Sequence, residues 1–243
     1  MEGPSIKLVA ERLQMFKNQA VSRIDGNARF EKARFVGQIL ESVFAVGKNL
    51  FLQFPAGCLR LHFLMYGRYE IDRPLEGKQP RLVIAFARGT FYFYNGAIEA
   101  MASQDVRARF DQSVDIMSVA FDEVKVHGLV KGRPGAFICD VLMDQDVFAG
   151  VGNIIKNEAL FRAKMHPMAR AGQLADSRID ELIRAARDYS ILFYDQKRAG
   201  KSLRDTFQIY QKARCIACGG PVTREKAGEA NRLNYYCPRC QPP

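Results

Sequence analysis

Several features are missing from this 243-residue chain, and each absence narrows its class. No apolar run approaches the ~18 residues that cross a bilayer, and no charged-then-apolar segment opens the chain. The expectation is a cytoplasmic protein, nucleoid-associated if bacterial, with no membrane partner. There is no internal repeat and no low-complexity tract. Acidic residues are in short supply: 26 Asp+Glu face 36 Lys+Arg, a net charge of +10. That excess favours a polyanionic partner, DNA or RNA ahead of an anionic membrane. Cysteine is scarce until the end, where Cys215, Cys218, Cys237 and Cys240 crowd together. Without a secretory signal, a disulfide framework is not expected of them.

What is present is enough for a core. Hydrophobic residues make up 48% of the chain, which marks it as globular. A short helical pattern, Ile6, Leu8, Val9 and Leu13, opens it. Then "ARFVGQILESVFAVGKNLFLQFPAGCLRLHFLMYGRYEI" reads as short strands with turns at Gly47-Lys48-Asn49 and Pro55-Ala56-Gly57. "RLVIAFARGTFYFYNGAIEAM" adds a hairpin around Arg88-Gly89, and strands at this spacing predict a sandwich or barrel. Near residue 115 the periodicity turns helical, and Ile179, Leu182, Ile183, Ala186 and Tyr189 fall on one stripe.

The strongest motif is C-x2-C-x18-C-x2-C, from Cys215 to Cys240. Each Cys-x-x-Cys offers two thiolates from one tight turn, and two such turns close a tetrahedron around zinc. Nothing suggests an open position, so one structural Zn2+ per chain is expected. Free thiols or a redox pair are the alternative, but redox chemistry needs one such turn and not two. Cys58 and Cys139 read as buried small apolar residues. Between the cysteine pairs Arg232 reads either as a solvated arginine or as a phosphate ligand.

A weaker signal is "FAGVGNIIKNEALFR". Two glycines precede Asn153, a good N-cap, and the helix start it opens presents N–H groups able to hold a phosphate. At the other end, "MEGPSI" sets Glu2 directly after Met1. From these residues alone Glu2 reads as a solvated acid.

Taken in order, "EGPSI", "VGKNLFLQF", "LRLHFLMYGRYEI", "LMDQDVFAGVGNIIKNEALFRAKMHP" and "CIACGG…RLNYYCPRCQ" resemble the formamidopyrimidine-DNA glycosylase/endonuclease VIII family over nearly the whole chain. "YNGAIEAM" is more similar to the endonuclease VIII branch. The resemblance implies an α+β fold: an N-terminal β-sandwich (1–117), a helix-two-turn-helix domain (118–205) and a C-terminal four-cysteine zinc ribbon (206–243). It implies a monomeric base-excision repair DNA glycosylase with AP lyase activity. Damaged DNA is the partner, and a nucleotide is flipped from the stack.

By position, the resemblance makes the terminal amine the nucleophile, Glu2 the acid that protonates the opening sugar ring, and Lys48 the hairpin lysine at the lesion phosphate. Leu64, Met65 and Tyr66 match the wedge that fills the vacated space, and one of the three is open to being strand core instead. Asn153 and Arg232 match the pair that clamps the phosphodiester. Two positions depart from the family pattern: Met1 stands where proline begins the mature relatives, and Ser5 stands where they have glutamate. The alternative is therefore a damaged-DNA-binding paralogue with weak or no glycosylase activity. A zinc-ribbon RNA-binding protein would explain the charge and the cysteines, but not Glu2, Lys48 and Asn153 together.

Overall fold

The computed structural model describes every residue from Met1 to Pro243. The chain divides into two compact units, Met1 with residues 5–111 and residues 2–4 with 112–243.

In the first unit, α1 (Gly3–Leu13) buries Ile6, Val9, Ala10 and Leu13, three and four residues apart as a 3.6-residue period requires. Leu8, on the edge of that stripe, is half-buried. Eight strands follow: β1 (Val21–Asp25), β2 (Ser42–Val46), β3 (Asn49–Phe54), β4 (Gly57–His62), β5 (Arg68–Ile71), β6 (Leu82–Phe86), β7 (Gly89–Tyr94) and β8 (Ala97–Met101). They form two antiparallel sheets, β1-β6-β7-β5 and β2-β3-β4-β8. Alternation decides which side chains meet. Leu50, Leu52 and Phe54 of β3 and Leu59 and Leu61 of β4 share one core with Leu82, Ile84, Phe91 and Phe93 of the opposite sheet. Burying each such side chain contributes about 1.5–3 kcal/mol. The other face of β3 and β4 is also covered: Phe51 and Cys58 pack with Val106 of α2 (Ser103–Arg109). This is the expected β-sandwich. The β2–β3 turn has only two residues, with Gly47 at φ 57°, the sign a tight hairpin turn needs at its first central position. Lys48 is the second of them.

The second unit is helical: α3 (Glu123–Lys131), α4 (Ile138–Val141), α5 (Asn153–Arg162) and α6 (Asp176–Arg198). The helical reading from residue 115 is corrected. Residues 115–121 are turns, with Asp115 bridged to Ala149, and the helix waits for Glu123. Asp122 sets that boundary, because its side chain accepts the Lys125 N–H at 3.0 Å and caps α3. The stripe of α6 is buried as its period predicts, Ile179, Leu182, Ile183, Ala186 and Tyr189 among them. Past α6 the chain ends in a hairpin, β9 (Thr223–Ala227) and β10 (Arg232–Tyr236). Its apolar core is small: Ile209, Cys215, Tyr235 and Cys237 gather against Phe161 of α5. No helix is long and apolar enough to cross a membrane.

Candidate functional site

The start of α5 holds the first surprise. Asn153 is its first helical residue and not its cap; the cap position is Gly152, which has no side chain to offer. The capping group comes from the chain terminus. Glu2 Oε1 accepts the Ile154 N–H at 2.8 Å, and Oε2 accepts the Ile155 N–H at 3.2 Å. The anion at this helix end is thus the protein's own carboxylate, where the sequence suggested room for a phosphate. Two N–H donors at the positive end of a helix stabilise Glu2 in its ionised form. The glycines make the docking possible. A Cβ on Gly152 would lie 2.4 Å from the Glu2 carboxyl carbon, and one on Gly3 would lie 2.9 Å from the Gly150 backbone. The Gly3 N–H donates to the Gly150 carbonyl at 2.8 Å.

Beside this docked carboxylate the Asn153 side chain is half-exposed, yet its Oδ1 is buried without a donor. Buried polar atoms without a partner are uncommon in folded proteins. Asn153 also hydrogen-bonds the Tyr210 phenol, which lowers that group's pKa against the larger rise that burial imposes. One turn further along α5, Lys156 is fully buried, and desolvation pushes its ammonium down to about 8. Its Nζ donates to the Leu233 carbonyl at 3.1 Å.

The sandwich contributes the other predicted groups. Lys48 stands at the tip of the β2–β3 hairpin. Its neighbour Asn49 accepts the Arg60 Nε–H at 2.8 Å, and Arg60 and Arg109 both pair with Glu99. Hydrogen bonds from Arg109 first, then Arg60, hold the Glu99 carboxyl below its usual range. After β4 the chain turns through Leu64, Met65 and Tyr66, which are 53%, 71% and 74% exposed. None of the three is strand core. Gly67 closes this turn by donating to the Phe63 carbonyl at 2.7 Å, and a Cβ there would lie 2.2 Å from that oxygen. Leu64 sits at φ 51°, which is uncommon and costly for a leucine. Both its backbone groups are held: its N–H donates to His62 Nδ1 at 3.2 Å, and its carbonyl accepts the Met1 amine at 3.3 Å. Burial, with Arg60, Lys48 and the terminal amine adding, lowers the His62 pKa and keeps the ring a neutral acceptor.

The four cysteines come together as their spacing predicts, with sulfurs all within 4.8 Å of one another and none in a disulfide. The Cys215–Cys240 and Cys218–Cys237 separations are 3.8 and 3.5 Å. A tetrahedron with Zn–S near 2.3 Å has edges of about 3.8 Å, so the donor set fits zinc. The Gly220 N–H, ahead of Cys237, pushes the Cys218 thiol down to about 7, whereas burial raises Cys237. Gln241 braces the second knuckle, accepting the Cys237 N–H at 3.1 Å and donating to the Met165 carbonyl at 2.8 Å. Arg232 begins β10 and is exposed. The Cys58 and Cys139 thiols are buried, and desolvation raises them to about 12 and about 11, as inert core cysteines.

Within the second unit, then, Glu2, Asn153, Arg232 and the cysteines share one body, and within the first Met1, Lys48 and the Leu64–Tyr66 turn share another. Sequence reasoning missed His62 and Tyr210. His62 sits inside an apolar run where a polar side chain leaves no periodic trace, and Tyr210 lies in a mixed stretch, between Ile209 and Gln211, that has no period at all. The glycines before Asn153 were the visible signal for the docked carboxylate, since Gly152 leaves the helix start clear of a side chain.

The domain family described as formamidopyrimidine-DNA glycosylase H2TH matches residues 114–192. Endonuclease 8-like 3 of Homo sapiens is 35% identical over 249 residues, covering 99% of this chain and 41% of that protein. Endonuclease 8-like 2 of Bos taurus is 38% identical over 202 residues, covering 76% of this chain and 58% of that protein. The chain thus spans 41% of the length of the human relative. Among solved structures, a Lactococcus lactis formamidopyrimidine DNA glycosylase bound non-covalently to DNA containing an AP site superposes with a TM-score of 0.87 at 25% identity, covering 100% of both chains. A viral DNA glycosylase gives a TM-score of 0.87 at 22% identity, covering 99% of this chain and 100% of that one.

Proposed function

This chain belongs to the formamidopyrimidine-DNA glycosylase/endonuclease VIII family, on its endonuclease VIII side, and from that premise we propose that it is a base-excision repair DNA glycosylase with AP lyase activity. The observation that carries the proposal is the Glu2 carboxylate seated on the N–H groups of Ile154 and Ile155. A solvated surface acid would not need Gly152 and Gly3 cleared of side chains to reach its place.

In this reading the Met1 amine attacks C1′ of the flipped nucleotide. The glycosidic bond breaks and its electron pair leaves with the damaged base. Glu2, starting as a carboxylate, takes the proton released by the attacking amine and delivers it to the sugar ring oxygen as the ring opens. The resulting Schiff base acidifies the adjacent C2′–H, and elimination expels the 3′ phosphate. A free α-amino group has a pKa of about 7.7–8.0, so a useful share is neutral at physiological pH. Lys48 contacts the phosphate beside the lesion and assists proton transfer. The Leu64–Tyr66 turn fills the vacated stack, and Asn153 and Arg232 clamp the phosphodiester. One zinc, held by Cys215, Cys218, Cys237 and Cys240, supplies the folding free energy of the finger and takes no part in the chemistry. The functional segments are 1–117, 118–205 and 206–243, the protein acts as a monomer on damaged DNA, and its place is the cytoplasm or a bacterial nucleoid.

A second reading, a damaged-DNA binder with weak or no excision, draws on Met1, a primary amine with a flexible side chain where relatives carry proline, and on Ser5 in place of glutamate. One experiment separates the two. Borohydride added with abasic-site DNA should trap a covalent adduct that peptide mapping places on Met1, and acetylating the amine should abolish it. No adduct alongside intact DNA binding supports the binder, and an adduct on an internal lysine such as Lys48 sinks the terminal-amine mechanism.

A further inference from the structure

Arg232 stands on a two-stranded hairpin with little apolar core of its own, so other contacts must fix where its guanidinium points. The hairpin is gripped through its backbone on both sides of that residue. After it, the Leu233 carbonyl accepts from Lys156, and the Tyr235 N–H donates to Asn157 Oδ1 at 2.7 Å. Before it, the turn at Gly228–Asn231 is held by Asp140, a half-buried residue of α4 far away in sequence. The Glu229 N–H donates to Asp140 Oδ2 at 2.8 Å, and the Ala230 N–H donates to Oδ1 at 3.3 Å. A Cβ on Gly228 would lie 2.5 Å from Asp140 Oδ1, so the turn is shaped to admit this carboxylate. Gly228 also adopts φ 80°, which adds strain to any replacement.

We infer that Asp140 is a positioning residue for Arg232: its carboxylate caps the finger turn and sets the guanidinium where a DNA phosphate can meet it. The inference rests on the reading of Arg232 as a phosphate ligand. Hydrogen bonds from two N–H groups to one carboxylate are charge-assisted and directional, so they fix the turn's orientation as well as its fold. Neither Asp140 nor Gly228 touches the four sulfurs in this arrangement, which makes the cap separable from the metal centre.

The test uses the full chain, with Asp140→Ala, Asp140→Asn, Gly228→Ala, Arg232→Ala and the Asp140→Ala/Arg232→Ala pair. Dissociation constants are measured with single-stranded and duplex oligonucleotides carrying a tetrahydrofuran abasic analogue. Zinc content and amide exchange at Glu229 and Ala230 are followed in parallel. Asp140→Ala should weaken binding about tenfold, the scale of one charge-assisted contact, with zinc retained and both amides exchanging faster. In the Arg232→Ala background the same change should cost less than about twofold, because residues acting through one contact are not additive. Asp140→Asn keeps one acceptor and should recover part of the affinity, and Gly228→Ala should reproduce the loss from the hairpin side. Faster exchange with undiminished binding overturns the inference, as does a loss that multiplies fully with Arg232→Ala. Loss of zinc in all three of the Asp140 and Gly228 single variants also overturns it, since the cap would then serve folding. If Arg232→Ala alone binds as tightly as the parent, the phosphate-ligand reading fails and takes the inference with it.

Discussion

Two hairpin tips in this protein carry a cation, and they are held in opposite ways. Lys48 rides on β2–β3, whose strands belong to a sheet buried on both faces by leucines and phenylalanines. Arg232 rides on β9–β10, which has only a handful of buried apolar side chains beneath it. The sandwich fixes its tip by removing surface from water, a force that is strong in sum and without direction. The finger fixes its tip by directed bonds: four convergent sulfurs, the Asp140 cap, and the Lys156 and Asn157 contacts to β10. Short segments cannot bury enough area to offset chain entropy, so direction replaces quantity.

The sharpest way to break the comparison is to take the metal away. Chelation, or Cys237→Ser, should unfold residues 206–243 and leave the sandwich intact, because apparent zinc binding of about 10–16 kcal/mol is folding free energy in such segments. Residue-resolved hydrogen exchange should lose protection in β9 and β10 and keep it in β3, β4 and β7. Metal analysis of fresh protein should return about one zinc per chain, and its absence would sink the structural-zinc reading.

Next in size is the converse experiment. Phe93→Ala removes a fully buried ring from the sandwich and should lower its unfolding free energy by about 3–5 kcal/mol, as denaturant titration reads it. Zinc content should not change. Loss of zinc in this variant would mean the two regions do not fold as separate solutions.

Binding gives the third test. Lys48→Ala, Asn153→Ala and Arg232→Ala should each weaken association with abasic-site DNA by about 1–3 kcal/mol. Each lysine or arginine loss should also flatten the salt dependence by about one unit of slope. Equal losses from the two tips would show that opposite means of support give equal function.

The smallest effect concerns pH. Burial depresses the Lys156 pKa to about 8 from 10.5, with Cys139, Asp140, Glu2 and Arg232 the charged or titratable groups around it. The unfolded chain therefore binds more protons between those values, so this group's contribution to stability becomes more favourable as pH rises through that window. Compared with Lys156→Met at saturating zinc, the parent should gain of order 1–2 kcal/mol between pH 7.5 and pH 9.5. A flat difference would mean that Lys156 keeps its proton through this window in the folded protein, as it does in the unfolded chain, and that burial does not depress its pKa.

Periodic features were the legible ones. The α6 stripe, the alternation of β3 and the paired Cys-x-x-Cys turns all follow from local rules, and their residues lie where those rules put them. What the sequence hid were partnerships between distant positions. Glu2 reaches Ile154 and Ile155 across more than half the chain, and Asp140 reaches a turn in the finger. Neither contact has a period. The late start of α3 was missed for a related reason: apolar residues at 116–121 mimic a helical stripe, while one aspartate at 122 decides the boundary.

The apolar turn at Leu64, Met65 and Tyr66 has a thermal consequence. Its exposed side chains keep a shell of water whose heat capacity exceeds that of the bulk. Any partner that covers the turn must release that water. Calorimetry across a range of temperatures should then show a binding enthalpy that grows more negative on warming.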